Sequence, residues 1–158
     1  MDEKQRLIEM LDQSRGAMRA ELADFTPDTV IFPNWTKRHF LAHLTGWDDA
    51  VTSSLRAHAG GREPATPAME GIDAYNAESV ATRETLDYEH IVKEWELARV
   101  ELKAAINALP PGKFAEPLLY PWGRVGSVER LVRIIAHHEG EEHLEELRHM
   151  KMKLKSTA

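Results

Sequence analysis

The chain has 158 residues, a formal net charge of -6 and no cysteine, a size that suits a single domain built on one core. Lys and Arg are scattered, the N-terminus MDEKQRLIEM is charged where a signal peptide needs an apolar run, and no stretch nears the roughly 20 apolar residues of a membrane span. A cytoplasmic protein with no nucleic-acid or membrane partner is therefore expected, and any metal site must draw on nitrogen and oxygen donors, for which there are eight histidines.

The first helix is expected from about Glu3 to about Asp24, with Leu7, Leu11, Met18, Leu22 and Phe25 at three- and four-residue steps and Ser14 interrupting the stripe. Thr26-Pro27 closes it, and a linker containing Phe32-Pro33-Asn34-Trp35 leads to Thr36, a suitable N-cap. The second helix should then run to about His58 and stop at Gly60-Gly61, burying Phe40, His43 or Leu44, Trp47, Val51 and Leu55. After a turn-rich loop over 60–68, a short helical piece from about Ile72 to Arg83 precedes a third long helix capped by Thr85 or Asp87. Ile91, Trp95, Ala98, Leu102, Ile106 and Leu109 are in register on that helix, and Pro110-Pro111-Gly112 ends it. A crossing segment carrying Tyr120, Pro121 and Trp122 leads to Ser127, the cap of a fourth helix reaching about Lys153. No window alternates with strand period for long, so the pattern predicts an all-α antiparallel four-helix bundle with a short extra helix between the second and third long helices.

The fourth helix carries the chemistry. Its stripe reads Val132, Ala136, Glu139, His143, Leu147, Met150, Leu154, with an acid and an imidazole where two apolar residues belong. A carboxylate in such a stripe must be paired or must bind a cation. Glu139 and His143 stand four apart, so both reach one point off the helix surface, and His43 on the buried face of the second helix is positioned to be a third ligand. Three ligands suit a catalytic metal with an open position. The same residues also fit a core histidine satisfied by a backbone carbonyl or by Glu139 itself, and both readings stand on the spacing. His137, His138 and His149 lie off the stripe and read as surface or supporting residues, while a His39–His43 pair would leave Glu139 unexplained. Trp47, Tyr120 and Trp122, with Asn76, are candidates for a substrate pocket, against ordinary packing.

Two segments carry a resemblance. NWTKRHFLAHLTGWDDA, residues 34 to 50, resembles the second-helix signature of the DinB and YfiT-like superfamily, and IIAHHEGEEHLEEL, residues 134 to 147, is similar to its last-helix signature. The resemblance implies a divalent metal held by one His of the second helix and two ligands of the last, which fall by position on His43, Glu139 and His143. Many members have His where this chain has Glu139, and the Glu form resembles the mycothiol-dependent maleylpyruvate isomerase branch. The chain ends after the fourth helix, without that isomerase's additional C-terminal domain, so isomerase activity is not expected.

The resemblance implies a metalloenzyme, with zinc or nickel foremost among ions that nitrogen and oxygen donors accept. Its expected chemistry is transfer of a low-molecular-weight thiol to a small electrophilic substrate, or hydrolysis of one; with no cysteine, the thiol must arrive as a cosubstrate. Two other readings are a non-catalytic metal-binding or small-molecule-sequestering stress protein and a structural dimer without metal. Relatives suggest a homodimer.

Overall fold

The computed structural model describes residues 2–156 and is mostly helical. Helix α1 spans Glu3–Leu22, and Asp2 caps it by accepting the Gln5 amide at 2.9 Å. A short antiparallel ladder follows, β1 (Val30–Phe32) with β2 (Trp35–Thr36), where the sequence predicts a linker. The turn between the strands holds Asn34 at φ 70, a left-handed conformation that Asn tolerates. Thr36 then caps α2 (Lys37–Ala59), with the His39 imidazole accepting the Thr36 amide in return. Helix α3 covers Ile72–Ala81, and α4 covers Tyr88–Ala108 with Asp87 as its cap.

Beyond α4 comes a one-turn helix α5 (Pro111–Ala115) and a second ladder, β3 (Leu118–Leu119) with β4 (Val125–Gly126), in place of the predicted crossing segment. Ser127 caps α6 (Val128–His137). The expected continuous fourth helix is interrupted here. Residues His138–His143 form a π-helical turn before α7 (Leu144–Ser156) resumes.

Four long rods result: α1, α2, α4 and the α6–π–α7 succession. Helix α2 packs on α4 and on α6, while α1 packs on α4 and along α6, the π turn and α7. The core has two apolar halves. Leu11, Val51, Leu102 and Val132 belong to one, and Met18, Leu44, Trp95 and Leu144 to the other. Each rod contributes one charged residue between its members of the two halves: Arg15, Asp48, Arg99 and Glu139, all 1 to 4 % exposed.

The π turn lies close against α1. A Cβ added at Gly140 would stand 2.8 Å from the Ser14 Cβ, whereas one at Gly16 would meet nothing within 4 Å. Gly140→Ala should therefore cost about 1–3 kcal/mol by overpacking, while Gly16→Ala on the exposed face of α1 should gain roughly 0.5–1 kcal/mol. Paired urea melts check both signs.

Candidate metal centre

His43 on α2 and His138 and His143 at the two ends of the π turn bring their ring nitrogens together. His43 Nε2 lies 3.2 Å from His143 Nε2, which is 2.8 Å from His138 Nε2, and each of the three residues offers a ligand atom within 4.8 Å of the others. The π turn is what makes this possible, because i→i+5 hydrogen bonding stacks residues five apart, whereas an α-helix separates them around its axis.

Neighbouring groups fix which nitrogen each ring presents. Trp47 Nε1–H can only donate, and it gives its hydrogen to Asn76 Oδ1 at 2.7 Å. The same oxygen stands 3.0 Å from His43 Nδ1, so Nδ1 must carry the proton and Nε2 must present its lone pair. His138 Nδ1 likewise faces the Glu142 carboxylate at 3.0 Å, so Nδ1 carries a proton and Nε2 is the nitrogen turned to His143. His143 Nε2 thus faces both of these nitrogens, and a single hydrogen can satisfy only one of the two contacts. Its Nδ1 is buried without a hydrogen-bond partner among the described residues, the nearest Glu146 oxygen being 3.5 Å away and outside bonding geometry.

Phe40 stands edge-on to His143 at 5.1 Å between ring centroids, and Trp35 lies 4.8 Å from His43. Burial in this apolar wall, reinforced by the mutual proximity of the imidazoles, pushes His43 and His143 down to about 3. Both rings are therefore neutral near pH 7, the state in which imidazole binds metal. Burial also raises the Glu146 carboxyl. Three nitrogens sharing one tetrahedral zinc ion at about 2.0–2.1 Å would stand roughly 3.3–3.4 Å from one another, against the 3.2 and 2.8 Å of the two contacts here. A cation at this point would resolve the convergence of ring nitrogens, so the donor set fits a divalent metal.

Glu139 is not in this cluster. Its Oε1 accepts Arg15 Nε–H at 2.8 Å and its Oε2 accepts an Arg99 NH2 hydrogen at 2.5 Å, and the same guanidiniums hold Asp48 through contacts of 2.9 to 3.1 Å. Remaining donors go to the Trp95 and Leu11 carbonyls, so two cations and two anions form a fully bonded, neutral ring. For Arg99, burial alone would lower the guanidinium, but Asp48 and Glu139 more than offset it and the net shift is upward. Of the expected His43–Glu139–His143 trio, the structure brings His43 and His143 together with His138, and sets Glu139 against Arg15 and Arg99. The paired-or-cation-bound alternative resolves as paired.

His39 is separate, its ring engaged in the α2 cap and with Glu84 at 3.1 Å. A cavity of about 340 Å³ opens beside His138, walled by Trp47, Ile72, Trp122, Ile134 and Ile135, with His137 and Glu142 at its edge. Of the predicted pocket residues, Trp47 and Trp122 line it. Asn76 instead orients His43, and Tyr120, 5.2 Å from Trp122 between ring centroids and donating its hydroxyl to the Ser127 carbonyl at 2.7 Å, lines a second cavity that shares Trp122 and Ile134. No helix among the described residues is long and apolar enough to cross a membrane.

The sequence profile of the family described as mycothiol maleylpyruvate isomerase N-terminal domain matches residues 9–143. No curated protein matches the chain. Two crystal structures, one of the mycothiol-dependent maleylpyruvate isomerase and one of a histidine-to-alanine mutant of it, superpose with a TM-score of 0.69 at 17% identity. Each alignment covers 93% of this chain and 63% of the isomerase chain, so this chain spans under two thirds of that enzyme's length.

Proposed function

Because the chain belongs to the mycothiol maleylpyruvate isomerase N-terminal domain family, of DinB-like fold, we propose that it is a divalent-metal-dependent enzyme that transfers a small thiol to an electrophilic substrate. The observation that carries this reading is the meeting of three imidazole Nε2 atoms at the edge of an apolar cavity. On this reading the four rods are an antiparallel four-helix bundle, and His43, His138 and His143 are the metal ligands.

A bound divalent ion supplies Lewis acidity, bringing the ionisation of a thiol or water at its open position toward neutral pH. The chain's own residues supply the rest. Asn76 holds the His43 tautomer and Glu142 holds that of His138, the outer support that ligating imidazoles need. Trp47, Trp122 and the isoleucines keep water from the electrophile. Since the sequence has no cysteine, the thiol comes from a cosubstrate, in keeping with the thiol dependence named for the isomerase. Zinc and nickel suit three imidazoles.

Protein reconstituted with cobalt tests the reading. Adding 2-mercaptoethanol should produce a sulfur-to-cobalt absorption band, and conjugation of an electrophile should require the same thiol. A cobalt spectrum blind to every thiol, with ester or amide hydrolysis intact, would replace transfer by hydrolysis as the reaction.

A further inference from the structure

We propose that the ligand of the cavity beside the imidazoles has an apolar body and a terminal carboxylate, the charge of which is received by Arg124 and Arg130. Two residues that wall the 340 Å³ cavity have a second cavity beside them. Trp122 and Ile134 also wall an adjoining cavity of about 210 Å³, which Arg124 and Arg130 line together. On this proposal an apolar chain lying against Trp122 and Ile134 extends from the imidazoles toward the two guanidiniums.

Neither arginine is accounted for by the fold. Arg15, Arg19, Arg56, Arg83, Arg99, Arg133 and Arg148 each pair with carboxylates, and the chain carries a net excess of acids. Yet among the described residues no carboxylate pairs with Arg124 or Arg130. Arg130 also stands in the first turn of α6, following the Ser127 cap, where the helix dipole disfavours a cation. Two like charges lining one small cavity repel, and an anion between them removes both penalties; the planar guanidinium forks are suited to a carboxylate. The apolar walls between set the rest of the ligand: chain or ring atoms without charge.

The inference rests on the proposed function only in taking this cavity as the substrate site, and it is tested without metal. Octanoate and octan-1-ol are titrated into the metal-free protein, with tryptophan fluorescence reporting through Trp122 and Trp47. Octanoate should bind about tenfold tighter, the ratio should shrink with added salt, and it should approach one in the Arg124→Gln, Arg130→Gln double variant. The Arg62→Gln variant, altered in a loop away from the cavity, should keep the full ratio. A ratio near one in the unaltered protein, or one that survives the double substitution, overturns the inference. In cobalt-loaded protein, simultaneous binding of octanoate and 2-mercaptoethanol assigns the carboxylate to the electrophile, and mutual exclusion assigns it to the thiol cosubstrate; both results require octanoate binding at the arginines. Absence of bound metal on elemental analysis would remove the enzymatic reading and leave the octanoate ratio unaffected.

Discussion

Glu139→Gln should lower the melting temperature of the metal-free protein by on the order of 10 °C and weaken metal binding as well. The first effect follows from the ring: removing one anion leaves Arg15 and Arg99 buried with a single carboxylate, an imbalance worth about 3–5 kcal/mol, and a domain of this length loses about 2–4 °C per kcal/mol. The second follows from position. Glu139 is the residue after His138 and is the only member of the ring within the π turn, so loosening its anchor loosens the spacing of two imidazoles, at about 10- to 100-fold in affinity. Asp48→Asn is the matched comparison. It breaks the same ring from α2 and should cost similar stability while leaving metal affinity nearly intact. Loss of metal in Glu139→Gln with an unchanged melting temperature would show instead that the carboxylate is itself a ligand.

His138→Ala should abolish stoichiometric metal as completely as His43→Ala or His143→Ala. Elemental analysis of protein prepared without a metal-affinity tag reads the result directly. The melting temperature of the metal-loaded protein should fall to that of the metal-free form, because an ion binding only the native state stabilises by mass action, about 4 kcal/mol at a thousandfold excess over Kd. The metal-free form should change little, since His138 is only partly buried and its Glu142 partner is exposed. Retention of full metal by the His138 variant would return the third ligand to another residue.

The helical stripes were legible because burial repeats with α-helical period: Leu7, Leu11, Met18 and Leu22 on α1, and Ile91, Trp95, Ala98, Leu102 and Ile106 on α4, are all buried. The caps at Thr36, Asp87 and Ser127 follow from side-chain oxygens placed to accept the first free amides. The demand that Glu139 be compensated was also legible, but its partners were not. Arg15 and Arg99 look like solvated residues until α1 and α4 are set against the π turn. A constant α period places His138 off the stripe, which hides its approach to His43 and His143. The local change to five-residue stacking has no strong signature in the side chains; the nearest signal is Gly140, whose missing Cβ lets the wider turn approach Ser14. Both short ladders escaped because two- and three-residue strands cannot display an alternation.

A π turn within an α-helix holds one more residue than an α-helix would need to join the same two ends. The surplus residue is absorbed locally, so α6 upstream and α7 downstream present the same faces to the core, with Ala136 on one side and Leu144 and Leu147 on the other all buried. Chain length in this stretch is consequently uncoupled from helix phase: removing one residue from positions 140–142 would shorten the His138–His143 interval from five to four without turning Leu144 or Leu147 away from the interior. Insertions and deletions are ordinarily ruinous inside a packed helix, and here a single one can exchange the residues that point toward His43 while the rest of the rod keeps its seat.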